Sequence, residues 1–386
     1  MARSVVKRDG PPSLGGVRDG NLDGIAGDFK CSTAYHSNMS EKSYLYGGEG
    51  ADDVVRVGLN GFGRIGRNVF RALLSDPRIE LVGINDVMDS DDMAYLGKYD
   101  SVMGRLDGLD LEDDALSIGD TSVPLFNVQS PAELPWDDFD VDVALECTGV
   151  FRTYEDAYGH VEGGADTAII SAPPKGEKPV KQLVYGVNHD EYDGEDVISN
   201  ASCTTNSVTP VAKVLHEEFG IRSGTLTTVH AYTGSQNLID GPMTKTRRGR
   251  AAAENIVPTT TGAAQAATEI LPELEGKLDG MAIRVPVPNG SITEVVVDLE
   301  SSPDAAEING AFREAADSGP LAGVLGYTDD EVVSRDIAGL PYSTYVDLPS
   351  TNVVGEDGLA KILTWYDNEY GFSNRMLDMA AFVADY

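Results

Sequence analysis

The stretch from Val54 to Asp86 leaves this chain few folds to choose from. VVRVGLN is a β-branched run of strand length. It leads directly into Gly61-Phe-Gly63-Arg64-Ile65-Gly66. NVFRALLSD follows with helical spacing, Val69, Leu73 and Leu74 being expected to face inward. ELVGIND reads as a second strand and closes on Asp86, 20 residues past Gly66. A strand, a turn of three spaced glycines, a helix and an acid after the next strand form the setting in which helix N-terminal N–H groups receive a pyrophosphate. Glycines let the backbone come close. The Asp86 carboxylate accepts hydrogen bonds from a ribose 2′-OH and repels a 2′-phosphate, so NAD is expected over NADP.

Strands and helices continue to alternate. DVDVALECTG, TAIISAP and DVISN read as strands, with a helical stretch around 153–164, and LEDDALSIG with SVPLFNV reads as a hairpin. This alternation predicts an α/β, Rossmann-type doubly wound parallel sheet. TPVAKVLHEEFG begins a helix, after which GTLTTVHAY, AIRVPVP, SITEVVVDLE, VVSRDI and KILTWYDNE look strand-like, with helices at 262–271 and 303–316. That half predicts an α+β catalytic domain on a mixed or antiparallel sheet. SNRMLDMAAFVADY is an amphipathic helix, with Ser373 as its expected cap and Met376, Ala380 and Val383 on one stripe. The expected divisions are 54–202 for dinucleotide binding, completed by the helix 373–386, and 203–372 for catalysis.

Charge narrows the function classes. The chain has 63 acids against 29 bases, a net charge of -34. A nucleic acid or an anionic membrane needs a basic face, so neither is an expected partner. Enough hydrophobic residues are present for a core (41%), so the acids are read as a surface that salt must screen, the mark of salt adaptation. The first 38 residues break this pattern with five bases and four acids. Met39 therefore reads as a plausible true start, and residues 1–53 as a disordered or non-native-start extension. Three cysteines are too few for a disulfide framework and fit a reducing, cytoplasmic setting. No Cys/His spacing resembles a metal site.

Ser202-Cys203-Thr204-Thr205-Asn206 joins a strand to a helix. A thiol there is biased toward thiolate by the helix dipole, and small hydroxyls surround it. His230 ends TLTTVH and can meet Cys203 in space. A Cys–His pair with a dinucleotide nearby points to thiolate attack on an aldehyde followed by hydride transfer. Cys147 reads as core, and His36, His160, His189 and His216 have no comparable setting. Lys245-Thr-Arg247-Arg248-Gly-Arg250 sets four bases in six residues of a very acidic chain. Thr233, Thr261-Gly262 before a helix, and Arg284 complete the donors that a phosphate-bearing substrate needs.

These segments, with KYDSVMGRLD, TTVHAYTGSQNLIDGP, RRGRAAAENIVPTTTGAAQA and WYDNEYGFSNRMLD, occur in the order seen in phosphorylating glyceraldehyde-3-phosphate dehydrogenases. The resemblance covers the chain from Val54 to near Tyr386. It implies a homotetramer that converts glyceraldehyde 3-phosphate and inorganic phosphate to 1,3-bisphosphoglycerate with NAD. Cys203 is then the nucleophile and His230 its base. Gly61, Gly63, Arg64, Ile65, Gly66, Asp86, Arg105, Ser171 and Asn368 resemble the NAD contacts, with Asn368 fixing the carboxamide. Thr233 and Arg284 resemble the site for the substrate's own phosphate. Ser202, Thr204, Thr261, Gly262 and one loop arginine resemble the attacking-phosphate site; Arg248 fits best by spacing, with Arg250 as the alternative. The loop Tyr232–Pro258 is expected to line a neighbouring subunit's cofactor. Two departures, Cys147 for a usual serine and Ser207 for a frequent second cysteine, leave the chemistry untouched. An erythrose-4-phosphate dehydrogenase, which uses water in place of phosphate, is the alternative.

Overall fold

The computed structural model describes residues 54–355 and 359–386, so the expected extension over residues 1–53 lies outside the described residues. The first sheet comprises β1 (Val55–Asn60), β2 (Ile79–Asn85), β3 (Asp110–Glu112), β4 (Ala115–Ile118), β5 (Thr121–Phe126), β6 (Val143–Glu146), β7 (Thr167–Ile170), β8 (Lys181–Gln182) and β9 (Val197–Ser199). Their order across the sheet is β3-β4-β5-β2-β1-β6-β7-β9-β8. Every pairing from β5 to β8 is parallel. Helices α1 (Arg64–Leu73), α2 (Ser90–Lys98) and α3 (Tyr154–Glu162) interrupt the strands.

Strand order reverses at β1, because the chain steps out to β2 on one side and returns to β6 on the other. The C-terminal ends of β1 and β6 therefore border a crevice. Gly61 sits there with φ 98°, and a Cβ on it would lie 2.5 Å from the Thr148 backbone nitrogen. A Cβ on Gly66 would lie 1.9 Å from the Gly61 carbonyl oxygen, whereas nothing lies within 4 Å of one on Gly63. Two glycines thus close the turn and the third leaves an open surface.

The second half begins with α4 (Cys203–Phe219) and β10 (Ile221–Ala231), followed by β11 (Val257–Thr260), α5 (Ala263–Ile270), β12 (Leu278–Val285) and β13 (Ser291–Leu299). It continues with α6 (Ala305–Asp317), β14 (Leu325–Thr328), α7 (Ser334–Ile337), β15 (Thr344–Asp347), β16 (Asn352–Val354), β17 (Leu359–Tyr366) and α8 (Tyr370–Ala384). The sheet is mixed, in the order β11-β12-β10-β13-β17-β15-β14, with β16 also on β17. Helix α8 returns to pack on α1 and against β1, β6 and β7 of the first sheet.

Several local expectations change. LEDDALSIG folds on itself, since Asp113 (φ 49°) and Asp114 (φ 59°) take the two left-handed positions of a tight hairpin, and the result is a three-stranded meander. VVSRDI is not a strand; its end forms the short helix α7, with the Val333 N–H donating to the Asp336 carboxylate. Leu74 is 38% exposed because α1 has already ended. Helix α4 starts at Cys203 rather than near Thr209 and carries Pro210 within it, its end held by the Ser202 cap. Ser373 does not cap the last helix. Asp367 accepts the Glu369 and Tyr370 N–H groups (2.8 Å each), and Ser373 lies inside α8, donating to the Glu369 carbonyl.

The glycine contacts predict opposite behaviour for two alanine substitutions. Gly66→Ala drives a methyl into a carbonyl and should destabilise the protein by more than ~2 kcal/mol. Gly63→Ala meets no protein atom and should melt within a degree or two of wild type. Equal melting temperatures for the two variants would contradict the turn geometry.

Candidate active site

The thiol is placed by local rules. The Ser202 hydroxyl accepts the Thr205 N–H (3.1 Å), which fixes Cys203 as the first residue of α4. Just before it, the buried Ala201 has φ 56°, a strained value for a side-chain-bearing residue, and this swings the chain from β9 into the helix. His230 is near the end of β10 and lies beside Arg284 in the parallel β10–β12 register. Cys203 Sγ is 3.5 Å from His230 Nε2. The imidazole is buried (3% exposed) and meets the Tyr366 ring edge to face at 5.8 Å. The Tyr366 hydroxyl is shared with Thr204 (3.0 Å) and Thr228 (2.8 Å).

The other ring nitrogen has two competing neighbours. Arg284 Nη1 lies 2.7 Å from Nδ1 and donates to the Ala231 carbonyl, itself 2.7 Å from Nδ1. Arginine only donates, so Nδ1 facing it is an acceptor and Nε2 carries the ring proton. An Nδ1–H aimed at Ala231 reverses this and turns an Nε2 lone pair toward the thiol. The two tautomers differ in the protonation of Nε2, the atom nearest sulfur.

Electrostatics favour a neutral imidazole. Burial, with the Arg284 guanidinium next in weight, pushes His230 down to about 3. Burial pushes the Cys203 thiol up, and Arg284, Thr204 and the helix-end N–H groups offset this in part. The helix dipole expected to produce a thiolate is therefore opposed by desolvation in this geometry.

Of the two loop arginines left open by the sequence, Arg248 turns inward. Its Nε donates to Thr259 (3.0 Å), and its charge acts on both His230 and Arg284. Arg250 is exposed and paired with Asp240 at 2.7 Å. The Thr233 hydroxyl shares a hydrogen bond with Ser235 (2.8 Å), and the Thr261 hydroxyl accepts the Ala263 N–H (3.2 Å) at the start of α5, where Gly262 is open.

The crevice between β1 and β6 carries the remaining expected residues. Helix α1 has no side-chain cap and no acid in its first turn, so its N-terminal N–H groups can meet an anion, and the open face of Gly63 lies beside them. Asp86 borders this turn and accepts the Phe62 N–H (2.6 Å) and the Met88 N–H (3.0 Å). These features fit a dinucleotide. The Arg64 guanidinium is held by Glu369 (Nε–Oε1 2.9 Å) and Asp100. Ile65 packs against the core and Ser171 follows β7. Arg105 is exposed, paired with Asp107 (2.7 Å) and 5.7 Å over Tyr99. Asn368 is buried, its Oδ1 accepting from the Ser291 hydroxyl (2.9 Å), which also accepts the Ala231 N–H (3.1 Å). Ala201, Ser291 and Tyr366 were not legible as site residues, since small residues and a tyrosine on an alternating strand read as core.

A dinucleotide crevice on one sheet and a thiol–imidazole pair facing two arginines on the other define a two-domain oxidoreductase. The comparisons specify it further. Residues 55–154 match the family model described as glyceraldehyde 3-phosphate dehydrogenase, NAD binding domain, and residues 202–368 match its C-terminal domain. The glyceraldehyde-3-phosphate dehydrogenase of Haloarcula vallismortis is 69% identical over 333 residues, covering 86% of this chain and 98% of the relative. Those of Streptomyces coelicolor (335 residues, 86% and 99% covered) and Geobacillus stearothermophilus (334 residues, 86% and 98% covered) are each 50% identical. The chain belongs to the glyceraldehyde-3-phosphate dehydrogenase family.

The buried imidazole makes stability depend on pH. In the folded protein His230 stays neutral down to about 3, whereas in the unfolded chain it binds a proton below about 6.5. Between those values the unfolded state holds the extra proton, so stability falls as pH falls, by ~2 kcal/mol at about pH 5. His230→Asn removes this contribution, and its melting temperature should drop less than that of wild type between about pH 7 and 5. Identical slopes would contradict the burial argument.

Proposed function

We propose that the protein oxidises D-glyceraldehyde 3-phosphate to 1,3-bisphosphoglycerate at the Cys203–His230 pair. Residues 54–202 with the last helix serve NAD binding, and 203–372 serve catalysis. NAD, when bound, supplies the acceptor for a hydride. The chain's own residues do the rest. Sγ adds to the aldehyde carbon as Nε2 of His230 takes the thiol proton and passes it to the former carbonyl oxygen, giving a thiohemiacetal. As hydride leaves that carbon, Nε2 takes the hydroxyl proton and a thioester to Sγ remains. Inorganic phosphate attacks the thioester carbon, and Sγ departs as thiolate.

The carrying observation is the 3.5 Å Sγ–Nε2 approach beside Arg284 and Arg248. Arg284 with Thr233 is assigned the substrate's phosphate. Arg248 with Ser202, Thr204, Thr261 and Gly262 is assigned the attacking phosphate, and Arg250, held by Asp240, is not. Asn368 is assigned the carboxamide, and Asp86 the ribose. A homotetramer is proposed because the loop carrying Arg248 exposes Leu238, Ile239 and Ile256, each at least 70% accessible. No helix among the described residues is long and apolar enough to cross a membrane. A cytoplasmic, salt-adapted enzyme accounts for the net charge of -34.

One assay tests reaction and salt adaptation together. NADH formation from glyceraldehyde 3-phosphate should require phosphate or arsenate for repeated turnover, and the rate should be higher in ~3 M than in ~0.1 M KCl. Multiple turnovers at full rate without either anion would contradict the phosphorolysis step. A rate independent of KCl would contradict the salt adaptation.

A further inference from the structure

Under the cofactor crevice lies a buried polar cluster that the proposed chemistry does not use. Glu146, the last residue of β6, is 1% exposed, and His160 on α3 and Trp136 are each 0% exposed. Four donors converge on the Glu146 carboxylate. Oε1 accepts the Thr148 N–H (2.8 Å) and the Thr148 hydroxyl. Oε2 accepts the Asn60 side-chain amide (2.6 Å) and faces His160 Nε2 at 3.1 Å. The histidine tautomer follows from chemistry. Trp136 Nε1 only donates, and it lies 3.1 Å from His160 Nδ1, so Nδ1 accepts and Nε2 carries the proton toward Glu146.

This carboxylate ties together the ends of three strands. Asn60 ends β1 and precedes Gly61, and its Oδ1 accepts the amide of Asn85, the last residue of β2 (2.7 Å). Thr148 belongs to the loop after β6 and is the residue that Gly61 approaches most closely. Its hydroxyl also accepts the Val150 N–H (3.0 Å). Both walls of the crevice are thereby fixed to one anion. A buried carboxylate is a costly way to fill a core, and apolar residues of similar volume are often at least as stable. Fixing the walls before a ligand arrives is what the arrangement accomplishes, since preorganised loops need less ordering on binding.

We propose that Glu146 and His160 are positioning residues for NAD, acting through Asn60 and Thr148. The proposal rests on the crevice being the NAD site, and a titration of the wild-type protein with NAD checks that reading separately. Glu146→Gln puts an N–H donor against donors, and His160→Leu removes the donor to Glu146, while His160→Gln restores one. Affinities for NAD and for ADP-ribose are measured by calorimetry in high KCl, with kcat at saturating NAD and the iodoacetamide alkylation rate of Cys203 alongside. Glu146→Gln and His160→Leu should each weaken both ligands by about tenfold. They should leave kcat and alkylation near wild type, and His160→Gln should recover most of the affinity. Should Glu146→Gln fail to fold, the two His160 variants decide. Wild-type affinity in folded His160→Leu, or a loss of kcat matching the loss of affinity, overturns the proposal.

Discussion

The catalysis proposed for this enzyme depends on the approach of one sulfur to one imidazole nitrogen, Cys203 Sγ to His230 Nε2 at 3.5 Å. Neither group is placed by its own neighbours alone. The sulfur is fixed by a helix end that needs the Ser202 cap and the strained Ala201. The imidazole is fixed by strand register, which brings Arg284 beside it, and by the edge of Tyr366. Tyr366 also bonds Thr204, the residue after the thiol, so one phenol touches both halves of the pair. Its own ionisation is pushed far up by burial, which keeps it a neutral hydrogen-bonding group.

The glycine turn of the cofactor crevice and the strand end that carries the imidazole are linked through residues 367–369. Asn368 is bonded to Ser291, whose hydroxyl also fixes the residue after His230. Its neighbour Glu369 holds Arg64 at the start of α1. The short run Asp367-Asn368-Glu369 thus caps the last helix, orients an amide and grips the glycine turn. Removing the Arg64 charge would leave Glu369 and Asp100 facing each other without their shared partner, which is a larger effect than losing one exposed ion pair.

Much of this was legible in the sequence because it follows from period and punctuation. The strand–glycine–helix unit at Val55–Leu73 reads directly from spacing, and Ser202–Asn206 reads as a strand-to-helix junction carrying the thiol, although the pattern predicts the helix only from near Thr209. What could not be read depended on partners distant in sequence. Ser373 has a good capping residue type, but Asp367 lies closer to the free N–H groups. VVSRDI has strand composition, yet Asp336 accepts the Val333 N–H and the end of the segment, Ser334–Ile337, is a short helix. Spacing favours Arg248 but leaves Arg250 open, and the Arg250–Asp240 ion pair is what separates them. The sequence shows the helix end beside the thiol but not the burial that opposes it, nor Arg284, which acts with the helix end.

The central claim is that Cys203 carries the acyl group. The most direct measurement is intact-protein and peptide mass spectrometry of enzyme mixed with NAD and glyceraldehyde 3-phosphate, without phosphate, and quenched in acid within one turnover. The account predicts a phosphoglyceryl adduct on Cys203, discharged when phosphate is added before the quench. An unmodified Cys203, under conditions where one equivalent of NADH has formed, would contradict it.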